Sequence, residues 1–199
     1  MTLREASHSI DLRPMAQANP LIKITYRDYL LLPEESRYEL IEGDLFMVPS
    51  PNEPHQRISR RLEYELITFV ETRDLGEIYH APFDVVLSIH NVVQPDIVFV
   101  AKGRKGIITE KNIQGAPDLV IEILSHGTSD RDLTIKRALY GKCGVKEYWI
   151  VDPVAEAIEV CVLKQSGMET LRIFPNGTML SSPALPGLEL DLNKIFKPR

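Results

Sequence analysis

The 199-residue chain is poor in cysteine and contains no long apolar run. Its two cysteines, Cys143 and Cys161, lack a metal-ligand spacing, so we expect reduced thiols rather than a zinc site or a disulfide. No run reaches the roughly 18 apolar residues that span a bilayer. The first twenty residues also lack the apolar segment of a secretory signal. We therefore predict a cytoplasmic protein that does not enter a membrane.

An excess of basic residues is absent as well. The formal net charge is −5 at pH 7, which argues against a broad nucleic-acid-binding surface but allows local basic clusters. Three such clusters occur: Arg57, Arg60 and Arg61; Lys102, Arg104 and Lys105; and Lys136, Arg137, Lys142 and Lys146. A cluster of this kind is more commonly a solvated surface than a binding site.

The order of apolar patterns indicates an α/β (α+β) protein with a mixed sheet. We predict a flexible arm over 1–20 and one domain over 21–199 with its core at about 54–152. Helices are predicted at 25–32, 54–71 and 129–142, and a short one after Asp191; a hairpin is predicted over 37–48, and strands at 77–89, 92–100, 117–125 and 146–151. The chain after Asp152 is β-rich.

Two apolar runs within these strands open with the same dipeptide, Pro95-Asp96 and Pro117-Asp118. Proline is tolerated at the first position of a strand, and β-branched residues follow it in both. The second strand carries Glu122 among apolar residues, where an ionised carboxylate is costly unless a cation meets it. Asp96 is a second acid and Lys136 a candidate cation. If the two strands are neighbours, both acids can converge on a divalent metal.

Other polar residues allow more than one interpretation. His55 lies three residues before Ile58, so it faces inward from the first turn of its helix. A histidine at the edge of the core and a site residue remain equally open for this position. Asp84, Asp118 and Tyr140 are interpreted as structural, although Asp132, Lys136 and Tyr140 share one helix face by their i, i+4, i+8 spacing.

Several ordered motifs resemble a known family. They are RYELIEG at 37–43, APFDV at 81–85, VQPD at 93–96, the segments 116–125 and 132–140, and GVKEYWIVDP at 144–153. Together they resemble the Uma-type restriction endonuclease family, within the PD-(D/E)XK nuclease superfamily, over residues 25–195. The superfamily pattern has lysine two residues after the acid, where this chain has Leu124. In the Uma-type family that lysine is relocated to the following helix, which here carries Lys136.

The resemblance implies a restriction-endonuclease-like mixed sheet flanked by helices, with an N-terminal hairpin and a β-rich C-terminal extension. It implies metal-dependent hydrolysis of phosphodiester bonds in nucleic acid, with DNA as the expected polymer and Mg²⁺, replaceable by Mn²⁺, as cofactor. Asp96, Glu122 and the carbonyl of Ile123 would hold the metal, and Lys136 would act on the attacking water. Glu39 and His55 are candidates to support these residues or to hold a second metal. Cutting both strands of a duplex calls for two protomers, so we expect a homodimer with the tail after Asp152 at its interface.

Other interpretations stay open at this point. Asp96 could cap a strand end while Lys136 pairs with Glu122, without chemistry at either residue. The chain could then be a catalytically silent module that binds nucleic acid or another partner. A metal-dependent hydrolase of small phosphoesters is a further alternative, which the cleavage of polymers rather than mononucleotides would distinguish from a nuclease.

Overall fold

A computed structural model describes residues 23–33, 37–125 and 131–198, without the side chains of 131–133. The predicted arm over 1–20 and the start of the helix predicted at 129–142 lie outside these ranges, as does the side chain of Asp132. The described helices are α1 (Tyr26–Tyr29), α2 (Glu53–Thr72), α3 (Arg137–Cys143) and α4 (Leu192–Phe196). A 3₁₀-helix spans Lys102–Ile107, and a π-helical segment, Arg131–Lys136, leads directly into α3. None of the described helices is long and apolar enough to cross a bilayer.

The described strands form two larger sheets and one short pair. In chain order they are β1 (Tyr38–Ile41), β2 (Asp44–Met47), β3 (Gly76–His80), β4 (Asp84–Ser88), β5 (Asn91–Val93), β6 (Ile97–Ala101), β7 (Asn112–Gln114), β8 (Leu119–Ile123), β9 (Glu147–Asp152), β10 (Ala157–Lys164), β11 (Gly167–Pro175), β12 (Met179–Leu180) and β13 (Leu190–Asp191). One sheet has the order β2-β1-β5-β4-β7 and the other β11-β10-β9-β8-β6-β3, while β12 pairs with β13. Both larger sheets are mixed, and the predicted α/β (α+β) class is confirmed.

Helix α2 forms much as its sequence predicts. Asn52 caps it by accepting a hydrogen bond from the backbone N–H of His55 at 3.1 Å, and Pro54 occupies its first turn. Its buried side chains, which include Leu62 and Leu66, recur at helical spacing. Helix α3 ends at Cys143, one residue beyond the predicted end, and is followed by Gly144, whose φ of 87° is the left-handed conformation that glycine adopts most easily. Between β8 and β9, α3 provides the crossover that makes these two strands parallel.

Two predicted strands are each divided in the structure, so the prediction of one strand over 77–89 and another over 92–100 is wrong. The first divides into β3 and β4, and the second into β5 and β6, with the two halves in different sheets. Pro82 and Pro95 lie at the breaks, where a residue without an N–H cannot continue a ladder of hydrogen bonds. Strands β4 and β5 pair antiparallel across a turn at residues 89–90.

Alternation along β6 and β8 creates a core on each face of the six-stranded sheet. Phe99 and Ile121 face α2 and the C-terminal residues, which contribute Leu190 and Phe196 to the larger core. Val98 and Val120 face α3 and the five-stranded sheet. Residues 94–96 pass from the five-stranded sheet to the six-stranded sheet. This passage lies beside the N-terminal half of α2, where the cleft described below opens.

Candidate active site

The antiparallel pairing of β6 with β8 brings the two predicted acids together. Ile97 pairs with Ile121, so the preceding residue, Asp96, lies opposite Glu122. Asp96 Oδ2 accepts a hydrogen bond of 2.7 Å from the backbone N–H of Ile123. His55 Nε2 lies 3.2 Å from the same oxygen. The orientation of the Asp96 carboxylate is therefore set from both β8 and α2.

Lys136 reaches Glu122 from the neighbouring helical segment. Its ammonium lies 2.8 Å from Glu122 Oε1 and 2.8 Å from Glu39 Oε1. All three side chains are buried, with relative exposures of 3% for Lys136, 4% for Glu122 and 1% for Glu39. The backbone N–H of Gln94 also donates to Glu39 Oε1, at 3.0 Å. Lys136 thus bridges an acid of the five-stranded sheet and an acid of the six-stranded sheet.

Tyr140 is a member of this cluster that the sequence interpretation left among the structural residues. Its hydroxyl donates a 2.6 Å hydrogen bond to Glu122 Oε1, and its ring packs edge-on against Tyr148. Burial raises the pKa of the Tyr140 hydroxyl well above its ordinary value, and the negative charges of Glu122 and Glu39 raise it further. The hydroxyl therefore keeps its proton and remains a donor. The i, i+4 spacing from Lys136 is the sequence signal that predicts its place.

A cleft of about 1000 Å³ joins these residues. All the predicted site residues line it: Asp96, Glu122, Ile123, Lys136, Glu39 and His55. The N-terminal half of α2 forms one wall, with Lys197 and Pro198 beside it. The predicted residues therefore bring three carboxylates, one ammonium and one imidazole into one concave site, an arrangement typical of a functional centre.

Comparison with known proteins identifies the family. A family model described as "Putative restriction endonuclease" matches residues 26–193. The chain belongs to this family, Uma2. A solved structure, described as a putative nuclease belonging to DUF820 from Anabaena variabilis, is 26% identical and has a TM-score of 0.74. The match covers 87% of this chain and 97% of that one. A search among curated proteins finds no match.

Membership of Uma2 confirms the resemblance recognised from the sequence motifs and the restriction-endonuclease-like fold. Leu124 stands where the superfamily pattern has lysine, two residues after Glu122. The structure places Leu124 partly buried against the core on the α3 side, and it places the Lys136 ammonium on Glu122 instead. The geometry of this Uma2 chain is thus compatible with a lysine supplied by the helix.

The second Pro-Asp dipeptide has a different environment. Asp118 Oδ1 lies 3.0 Å from Arg104 and 2.7 Å from Lys146, and Oδ2 accepts a hydrogen bond from the Ala101 N–H at 2.8 Å. Burial alone would raise the pKa of Asp118, but these hydrogen bonds outweigh it and hold the pKa below its ordinary value. Asp118 does not line the cleft. Asp96 precedes β6 and Asp118 precedes β8. Because β6 and β8 run antiparallel, the two aspartates lie at opposite ends of the strand pair.

The donor chemistry of the cleft fits a hard divalent cation. Asp96 and Glu122 offer carboxylate oxygens and Ile123 a backbone carbonyl, which are the ligand types that Mg²⁺ and Mn²⁺ prefer. Among the side chains that the structure describes, in 23–33, 37–125 and 134–198, no three of the His, Cys, Asp and Glu types are arranged as a metal-binding group. The residues present therefore offer two acidic side chains and a carbonyl, with remaining positions left to water or substrate oxygens.

Proposed function

We propose that this Uma2 protein is a metal-dependent endonuclease that hydrolyses phosphodiester bonds in nucleic acid, with DNA as its substrate. The observation that carries the proposal is the pairing of Asp96 with Glu122 on adjacent strands, in one cleft with a buried lysine on Glu122. The family description and the nuclease described for the structural neighbour support it.

Asp96, Glu122 and the carbonyl of Ile123 are the residues that would hold Mg²⁺ or Mn²⁺. When bound, the ion would supply Lewis-acid chemistry toward a phosphoryl oxygen and increase the acidity of a water. Beside Lys136, the carboxylates of Asp96, Glu122 and Glu39 outnumber the single ammonium, which favours a cation at this end of the cleft electrostatically.

The other residues would orient the two carboxylates and compensate the charge that develops during the reaction. The Ile123 N–H and His55 hold the Asp96 carboxylate, while Lys136 and Tyr140 hold Glu122 Oε1. The Lys136 ammonium would orient the attacking water and offset the charge that develops on the phosphoryl oxygens. Glu39 would position Lys136 by accepting from its ammonium.

A cleavage assay with a matched pair of variants tests the proposal. Plasmid DNA, single-stranded DNA and RNA are incubated with the purified protein and Mg²⁺ or Mn²⁺. Asp96→Asn should abolish cleavage, whereas Asp118→Asn, which changes the same dipeptide at the far end of the strand pair, should retain it. Equal cleavage by Asp96→Asn and the wild-type protein would refute the proposed site. Absence of cleavage in every reaction would favour the silent binding module.

Metal binding is tested separately, by calorimetric titration with Mn²⁺. Binding to the native state should raise the melting temperature by mass action, and Glu122→Gln should remove both the binding and the stabilisation. Unchanged Mn²⁺ binding by this variant would contradict the assigned ligands.

A further inference from the structure

The three basic clusters of the sequence differ in their ion pairs. The second and third clusters are neutralised, because each of their members lies within ion-pair distance of a carboxylate. These pairs are Lys102–Asp74, Arg104–Asp118, Lys105–Glu77, Lys136–Glu39, Lys136–Glu122, Arg137–Glu159, Lys142–Glu42 and Lys146–Asp118. The paired carboxylates offset the positive charge that these side chains would otherwise present to a polyanion.

The first cluster has a different set of partners. Arg57 pairs with Glu53 at 3.2 Å, but Arg60 is exposed and, among the described residues, has no carboxylate within ion-pair distance. Arg61 donates from Nη1 to the backbone carbonyl of Ile195 at 3.0 Å and to that of Lys197. Arg57 donates to the Lys197 carbonyl at 2.7 Å. A carbonyl carries no formal charge, so these contacts orient the arginines without neutralising them.

The same contacts bring a further cation to the cleft. Lys197 follows α4, its side chain is exposed, and it lines the cleft with Arg57, Arg60 and Arg61. We call these four side chains the cationic wall. The wall lies on the same cleft as Asp96 and Glu122. In a chain of net charge −5, a concentration of incompletely neutralised cations at this one place favours an anionic occupant.

We propose that the cationic wall binds phosphates that flank the scissile phosphate, so that the substrate is a polynucleotide rather than a small phosphoester. This inference rests on the proposed function, since it assigns the scissile phosphate to the acidic side of the cleft. Arg57 and Arg61 are held in fixed orientations by the C-terminal carbonyls and present planar donors suited to phosphate. Arg60 and Lys197 are exposed. In this proposal they contact phosphates of the nucleic-acid backbone, which position the polymer without reading its bases.

Salt dependence of binding measures these contacts without requiring catalysis. Fluorescence anisotropy, in EDTA and at several NaCl concentrations, is recorded for a labelled DNA duplex, a DNA single strand and an RNA single strand. Each phosphate contact contributes about 0.9 to the slope of log K against log salt for a duplex and about 0.7 for a single strand. Arg60→Ala and Lys197→Ala should each reduce the duplex slope by about 0.9, and the double variant by about twice that. Arg27→Ala removes an exposed helical arginine that does not line the cleft, and it should leave the slope unchanged.

The outcomes separate this inference from the nuclease proposal. If Arg60→Ala and Lys197→Ala reduce the salt slope but the wild-type protein cuts none of the polymers, phosphate binding by the cationic wall is supported and the nuclease proposal is refuted. If cleavage depends on Asp96 but the salt slope of the double variant equals that of the wild-type protein, phosphate binding by the cationic wall is refuted and the nuclease proposal stands. A wild-type protein that binds none of the three polymers would overturn the wall. The substituted side chains are exposed, so unchanged melting temperatures are expected and verify that the variants are folded.

Discussion

At the residue scale, Lys136 combines a structural and a proposed chemical role. Its ammonium separates two buried carboxylates, so Lys136→Met should destabilise the protein by about 3–5 kcal/mol, as removal of one partner of a buried ion pair does. The same variant should lose cleavage. Lys136→Arg, which keeps the charge, should lose less stability. Urea denaturation and the plasmid assay measure the two effects.

A second substitution distinguishes the two roles of this lysine. Leu124 lies two residues beyond Glu122 in extended backbone, so both side chains point to the same face of the sheet. Adding Leu124→Lys to Lys136→Met should restore part of the cleavage, because the ammonium then approaches Glu122 along β8. Near-native cleavage by Lys136→Met alone would show that the lysine has no chemical role.

Asp118 contributes to stability in a pH-dependent manner. Its pKa in the folded protein is lower than its ordinary value of 3.8, so the folded state favours the ionised form. The stabilisation is therefore fully present above about pH 4 and is lost as the pH falls through the lower folded pKa. Asp118→Asn should be less stable than the wild-type protein at pH 7, and the difference should decrease in acid. Melting temperatures between pH 2 and pH 7 measure this, and a difference that is constant over that range would contradict it.

At the scale of elements, the pairing of β3 with β6 depends on a glycine. A Cβ atom at Gly76 would lie 2.1 Å from the backbone carbonyl oxygen of Val100, which cannot move without distorting β6. Gly76→Ala should therefore cost about 1–3 kcal/mol, as overpacking typically does. Gly103→Ala is the matched control, since nothing lies within 4 Å of its added Cβ. Equal unfolding midpoints of the two variants in urea would contradict the close approach.

At the scale of the whole molecule, the expected homodimer has a candidate surface in the C-terminal extension. Strand β11 is the edge of the six-stranded sheet, and its Leu171 and Ile173 are 51% and 59% exposed. If the extension forms the interface, light scattering at micromolar concentration should give a dimeric mass, and Ile173→Lys should give a monomer. Ile89→Lys, at a position 67% exposed in a turn outside the extension, is the control. A monomeric wild-type protein would contradict the prediction.

The extent of sequence-based prediction also differs between elements. Helix α2, the β1–β2 hairpin and the crossover from β8 to β9 follow from local periodicity, caps and turns, which act over a few neighbouring residues. The division of 77–89 and 92–100 between two sheets could not be predicted in this way. Pro82 and Pro95 mark the two breaks locally, but the sheet that each half joins depends on distant partners.

The sequence by itself determined the family, the mixed α/β class and the identities of the candidate acids, because these depend on motifs and on a carboxylate placed within an apolar strand. Only the tertiary structure decided the strand register that brings Asp96 and Glu122 together. The antiparallel register of β6 and β8 places Asp96 opposite Glu122 and Asp118 at the far end, although the two dipeptides are identical in sequence. The structure also decided that Glu39 contacts Lys136, that Tyr140 contacts Glu122, and that all three arginines of one basic cluster line the cleft. These are contacts between residues far apart in the chain, which local propensity and spacing do not encode.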